Sequence, residues 1–400
     1  MGFYFSEREV KRRIRRLLAE YTERKERQAR CRHARECKGC SFLELEYDTQ
    51  LEMKSRLIKS IFATLWEEDI EVQASPKEFF YRNKIELSYI KNILGFRRNW
   101  RETFQLKECL LFSEDSPTIV SCVANKLKEY SIVSYEPVKK QGYLRYVVVR
   151  EGKHTKQRML SLVTFSKKHA AELERLALEL KDCVHASSIV WMLNDTLSDS
   201  AFGTLVQSWG NPWIEEEFLG LKLRISHNAF FQPNVFAAEL AIKDITSRVK
   251  ELAPATAFDL FCGIGTIALS VAKHCEKIIG VELSQEAVGL ARENAALNRI
   301  QNAEFVESKV RSFLKYTKDR PEVVVLDPNR AGLSKKSVGR LLSLAPETII
   351  YLSCNPGSQA RDISMLTDAY RIASVKGFDF FPQTPHVECL AILERKSKRA

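Results

Sequence analysis

Nowhere in its 400 residues does the chain hold a run of about 18 apolar residues, so no membrane-spanning helix is expected. It has no apolar signal-peptide core near its start either. The basic run Lys11-Arg12-Arg13-Ile14-Arg15-Arg16 stands there instead, and a cytoplasmic address is expected. Internal repeats and low-complexity tracts are also missing, which sets aside solenoids and biased linkers. A hydrophobic fraction of 45% beside 28% charged residues excludes wholesale disorder and leaves core enough for two or three domains.

Cysteine, by contrast, is plentiful. Ten cysteines in a reducing compartment do not read as a disulfide framework, so their spacing asks for metal or catalysis. Basic residues outnumber acidic ones 62 to 51, a net charge of +11 that favours a polyanionic partner, nucleic acid first. A merely basic enzyme is the alternative. Residues 7–30 read as one helix. Val10, Ile14, Leu17, Leu18 and Tyr21 form its single apolar stripe, with arginine and lysine on the other faces. That helix is either a nucleic-acid-binding arm or an amphipathic helix docked on the body.

Two textures follow. Residues 31–40 form a Cys-rich loop and 48–65 a helix. From 79 to 225, strand-like runs (85–90, 143–149, 159–165, 188–193) alternate with loops around a helix at 167–180, which suggests an α+β module. Near Ser226 the rhythm changes. Short buried-strand runs at 257–261, 277–283, 303–307, 323–327 and 348–353 alternate with helical patterns, the signature of a parallel sheet with crossover helices. Runs at 370–378 and 387–394 follow with no helix between them and read as an antiparallel closing pair.

Several motifs sit at the ends of these strands. Phe258-Asp259-Leu260-Phe261-Cys262-Gly263-Ile264-Gly265-Thr266 runs a strand into a Gly-x-Gly turn that lets the backbone approach a ligand. Ala268 stands where a dinucleotide fingerprint has its third glycine, which argues against NAD. Glu282 ends the next strand, where an acid can hydrogen-bond ribose hydroxyls. Asp327 precedes Pro328, which forces the chain out of the sheet and holds the acid at its carboxyl edge; an Asx-turn role is the plainer reading. Cys354 ends another strand just before Asn355-Pro356, at the edge where open α/β sheets bind ligands. With Glu388 before the last strand, it supplies a thiol nucleophile and a separate acid/base group. A buried structural cysteine and a strand-edge ion pair are the alternatives. Cys31, Cys37 and Cys40, with distant Cys109, can complete a four-sulfur site, and spacing leaves zinc and an iron–sulfur cluster both open, His33 keeping zinc in play. The remaining cysteines, Cys122 and Cys183 among them, read as apolar packing. Tyr81-Arg82-Asn83-Lys84 and Phe96-Arg97-Arg98-Asn99-Trp100-Arg101 mix cations with aromatics, suited either to gripping RNA or to solvated hairpin loops.

Four segments stand in family order: Asn228-Ala229-Phe230-Phe231-Gln232-Pro233-Asn234, Asp259 to Gly265, Asp327 to Leu333, and Ser353-Cys354-Asn355-Pro356 followed by His386-Val387-Glu388. Together they resemble the RNA uracil-C5 methyltransferases that act on tRNA and 23S rRNA. The resemblance implies an α/β class I S-adenosylmethionine (SAM) methyltransferase with a seven-stranded Rossmann-like sheet, preceded by an α+β RNA-binding module. It assigns Cys354 as nucleophile on uracil C6 and Glu388 as base. Gln232, Phe261, Gly263, Gly265, Thr266, Glu282 and Asp327 become the SAM site, and a [4Fe–4S] cluster on Cys31, Cys37, Cys40 and Cys109 is favoured over zinc. The domains expected are a basic helix at 1–30, an iron–sulfur and RNA-binding region at 31–225 and a catalytic domain at 226–400, in a monomer with no membrane partner. The cluster, and the lack of room before Cys31 for the small all-β domain of some relatives, favour 23S rRNA as substrate. tRNA uridine-54 is the alternative, and a non-catalytic RNA-binding assembly factor the alternative of another class. Two positions depart from the family pattern: Asn329 replaces a second proline, which questions loop rigidity, and Ser308 stands where relatives often carry an acid.

Overall fold

The structure is a computed structural model that describes residues 7–22, 24, 26–99 and 101–397. The chain divides into two compact units, each assembled from separated segments. One takes the described residues of Met1–Gln28, Ser41–Pro76 and Phe236–Ala400; the other takes Ala29–Cys40 and Lys77–Val235.

The first unit is built on an eight-stranded sheet. Its strands run in the order Val72–Gln73, Tyr370–Phe378, Glu388–Arg395, Thr348–Ser353, Val323–Leu326, Thr256–Leu260, Lys277–Glu282 and Ala303–Glu307. All run parallel except Glu388–Arg395, which is antiparallel to both its neighbours. Seven of the strands are those expected from the sequence; the eighth, Val72–Gln73, is too short to leave a sequence pattern. Central strands such as Thr348–Ser353 are buried along their whole length, the reason they read as unbroken apolar runs.

The second unit carries a mixed seven-stranded sheet in the order Glu102–Gln105, Ile93–Asn99, Lys84–Ile90, Leu144–Glu151, Arg158–Thr164, Ser188–Leu193, Thr204–Trp209. Helices Ser116–Glu129 and Ala170–Cys183 bury their apolar stripes in its core, with Val123, Leu127, Leu173 and Leu180 fully buried. Cys122 and Cys183, read from the sequence as packing residues, stand side by side across these two helices and pack against the core, their Cα atoms 6.5 Å apart.

Three boundaries differ from expectation. The N-terminal helix is Glu7–Thr22 and stops short of residue 30, because Leu17 and Tyr21 are its last groups with a core to pack on. Of its stripe, the side chains of Val10, Ile14 and Leu18 lie outside the described residues. Helix Tyr47–Phe62 falls within the first unit, since Leu57, Ile58, Ile61 and Phe62 share a core with Phe258, Val324 and Tyr351. Residues 226–235 stay with the second unit. There Arg150 donates to the carbonyls of His227 and Ala229, and the Asn83 N–H donates to Pro233 O at 3.0 Å.

Candidate active site

Four parallel strands of the first unit end on one sheet edge, and each delivers a residue singled out above. Past Leu260, the Phe261 and Cys262 amides both donate to Val281 O, at 2.8 and 3.1 Å, which carries the ladder into the turn. Phe261 there adopts φ +73°, a left-handed conformation unusual for a residue with a Cβ. Gly263 (φ +53°) and Gly265 (φ +85°) continue the turn into helix Thr266–Val271, whose first residue, Thr266, is buried. A Cβ on Gly263 would meet nothing within 4 Å, whereas one on Gly265 would sit 3.0 Å from the Phe305 ring. Gly265 is thus needed for packing, and Gly263 faces open space. Glu282 is held by three backbone amides: Gly263 N (3.2 Å) on Oε2, and Leu283 N (2.6 Å) and Ser284 N (2.9 Å) on Oε1. An oriented carboxylate beside an open glycine turn suits a nucleoside ribose.

Cys354 and Glu388 meet through strand register. Leu352 pairs with Leu390 and Ser353 with Cys389, so the next step of the antiparallel ladder brings Cys354 opposite Glu388. Asp327 leaves the neighbouring strand, its amide directed to Leu260 O at 3.4 Å. The loop after it is braced despite Asn329. Asn329 Oδ1 accepts the Ala331 N–H at 3.1 Å, an Asx-turn standing in for a second proline. Arg330 O accepts from Asn355 Nδ2 (2.8 Å) and Ser358 Oγ (3.1 Å), which ties the loop to the residues after Cys354. Ser308, the other departure, directs its Oγ to Lys309 O.

Electrostatics make this edge unusual. Burial pushes the Cys354 thiol up to about 12; negative Glu388 and Asp327 add to the shift and Arg330 opposes it. Burial, reinforced by Asp327, raises Glu388 well above the ordinary carboxylate range. Asp259, fully buried, is pushed up to about 7, with Asp327 and Glu282 adding to the burial and the Ala268 N–H resisting it. Its Oδ2 accepts that N–H at 2.9 Å, while Oδ1 is buried without a partner among the described residues. Acidic groups crowded in poor solvent call for a cation, and the sulfonium of SAM is one. The sequence reading did not list Asp259 or Arg330 as site residues, although both lie inside its motifs.

The second unit holds the other residues. Gln232 is buried there, its carbonyl accepting from Asn83 Nδ2 at 2.8 Å. The four thiols also converge there. Burial drives Cys40 up to about 12, and charges on Cys109, Cys37 and Cys31 add to the shift. A cavity of about 610 Å³ is lined by Cys37, Cys40 and Cys109 together with Arg82 and Arg150. His33 accepts the Lys107 N–H on Nε2 at 3.0 Å and faces Glu36 with Nδ1, so neither nitrogen turns to the thiols. No three His, Cys, Asp or Glu among the described residues are arranged around a single ion. The basic–aromatic stretches are less available than expected: Tyr81 is buried, Arg97 is engaged with Asp199 and Tyr146, and Arg98 pairs with Glu36. Trp100 lies outside the described residues.

The profile of the tRNA (uracil-5-)-methyltransferase family matches residues 217–396. A tRNA (uracil(54)-C(5))-methyltransferase of Pyrococcus horikoshii is 34% identical over 371 residues, 91% of this chain and 85% of the relative. The chain belongs to the RNA uracil-C5 methyltransferase family. An RNA methyltransferase of Nanoarchaeum equitans is likewise 34% identical, over 92% of this chain and 80% of its own length. Among solved structures, the Pyrococcus abyssi tRNA (uracil-54, C5)-methyltransferase in complex with S-adenosyl-L-homocysteine superposes with a TM-score of 0.76. It is 32% identical, and the match covers 89% of this chain and 86% of that one. As a member of the family, the chain is a SAM-dependent enzyme that methylates uracil C5 in RNA. No helix among the described residues is long and apolar enough to cross a membrane.

Proposed function

We propose that the enzyme methylates C5 of uridine-54 in tRNA through a covalent Cys354–uracil intermediate, with Glu388 as the base. The observation that carries the mechanism is the meeting of Cys354 and Glu388 at adjacent strand ends beside Asp327. Uracil C5 is too weak a nucleophile to take a methyl group unaided. Addition of the Cys354 thiolate to C6 creates an enolate with electron density at C5. SAM supplies a methyl group on a positively charged sulfur, and Phe261, Gly263, Gly265, Thr266, Glu282 and Asp327 are the residues assigned to hold it. Methyl transfer removes that positive charge, so the proton affinity of Glu388 rises just as it must take the C5 proton. The electrons of the C5–H bond re-form C5=C6 and expel the Cys354 thiolate.

The relatives with a stated substrate act on tRNA uracil-54, which favours tRNA over the 23S rRNA expected from the sequence. Cys31, Cys37, Cys40 and Cys109 fit a [4Fe–4S] cluster better than zinc. The four thiols lie close enough to raise one another's acid constants, and His33, the residue that kept zinc in play, turns neither ring nitrogen to them. The cluster would be structural or RNA-positioning, as methyl transfer needs no redox step.

The test is methylation of tRNA and 23S rRNA by the purified enzyme, read by mapping 5-methyluridine. Product at tRNA position 54 is expected. Product in rRNA alone would reverse the substrate assignment, and turnover by Cys354→Ala would remove the covalent step.

A further inference from the structure

Among the described residues Glu388 makes no side-chain hydrogen bond, so its carboxyl is placed only by its strand and by the 379–387 loop that leads into it. That loop is gripped by side chains from a helix more than 300 residues earlier in the chain. Gln50 and Lys54 lie one turn apart on helix Tyr47–Phe62, on the same buried stripe as Leu57, Ile58 and Ile61. Apolar residues would fill such positions at lower desolvation cost, so their polarity needs an explanation. Lys54 Nζ donates to Asp379 Oδ1 at 2.6 Å and to Phe381 O at 3.2 Å, in a pair with no solvent exposure. Gln50 and Gln383 bond reciprocally: Gln383 N–H donates to Gln50 Oε1 at 2.9 Å, and Gln50 Nε2 donates to Gln383 Oε1 at 3.1 Å. Arg27 adds a third hold on Gln383, donating to its Oε1 at 3.0 Å. Gln383 itself is fully buried at φ +68°, a conformation that persists only where its surroundings impose it.

From this geometry we infer that Gln50 and Lys54 are positioning residues for the proton-abstraction step: they clamp the 379–387 loop so that the Glu388 carboxyl stands at the Cys354 adduct. The inference rests on the reading of Glu388 as base. Because adduct formation and methyl transfer precede proton abstraction, a loosened clamp slows the release of methylated RNA without slowing its capture.

Single-turnover kinetics of the full-length holoenzyme with tRNA and SAM separate the two steps. Covalent protein–RNA adduct is followed on denaturing gels and its methyl content by mass spectrometry. Two variants are used: Lys54→Met/Asp379→Leu, which removes both buried charges together, and Gln50→Met. In a variant that melts as a folded protein, adduct should form at the wild-type rate, resolve on the order of 10–100-fold more slowly and accumulate in methylated form. Wild-type resolution, or formation and resolution falling together, overturns the clamp. So does failure of both variants to fold, which would assign these contacts to stability alone. Glu388→Gln is run in parallel. If it traps adduct and the clamp variants do not, only the clamp fails; if it too resolves normally, the base assignment fails.

Discussion

Cys354 has a thiol pushed up to about 12, chiefly by burial, with Glu388 and Asp327 adding to the shift, so near neutral pH the free enzyme holds it as the thiol. The sign follows directly. A raised acid constant keeps the group protonated, and its reactivity should climb about tenfold per pH unit until about 12. Iodoacetamide should therefore label Cys354 slowly in the free enzyme. SAM should accelerate the labelling and shift the profile to lower pH, while S-adenosylhomocysteine, which lacks the sulfonium, should do so far less. Peptide mass spectrometry across a pH series reads both effects. At Glu388, replacement by Gln should leave methyl transfer intact and trap a methylated, covalently linked protein–RNA species. Recovery of free methylated RNA at the normal rate would remove its role as base. The sequence carried both residues by type and motif. It did not carry their electrostatic environment, which arises first from burial and then from Asp327 and Arg330 beyond a different strand end.

At the scale of elements, the Gly-x-Gly turn separates binding from folding. Gly263→Ala adds a methyl group that meets nothing within 4 Å, so its cost to the fold is the strain of a Cβ at φ +53°, and its steric cost should fall on the bound ligand. The expected result is a raised KM for SAM with a fall in melting temperature set by the backbone strain alone, smaller than that of Gly265→Ala. Gly265→Ala instead drives a Cβ against Phe305 at φ +85° and should destabilise the fold by about 1–2 kcal/mol. Calorimetry of both variants with and without SAM distinguishes the two costs. The strands of the parallel sheet were legible in the sequence because burial on both faces makes them uniformly apolar. Strand Val72–Gln73 and hairpin Trp213–Phe218/Leu221–Ser226 were not, since two residues, or a stretch as charged as Glu215-Glu216-Glu217, show no apolar run. The proximity of Cys122 to Cys183 was equally silent, because their 61-residue separation is closed only by the packing of two helices.

At the scale of the molecule, the four-thiol site predicts brown protein after anaerobic purification, with iron and sulfide near four each per chain, about the content of one cubane cluster. Zinc without iron would refute that assignment. The sequence by itself determined the class of sheet, the motifs on its strand ends and the chemistry those residue types permit. All of these follow from local periodicity and residue identity, which a linear chain displays. Only the tertiary structure decided that residues 41–76 build the catalytic unit and that 226–235 do not. It alone matched Cys354 to Glu388 across a ladder and locked Gln50 and Lys54 onto the loop before Glu388. Those outcomes depend on which buried groups find partners hundreds of residues away, and chain order does not encode such pairings where polar residues occupy a buried stripe.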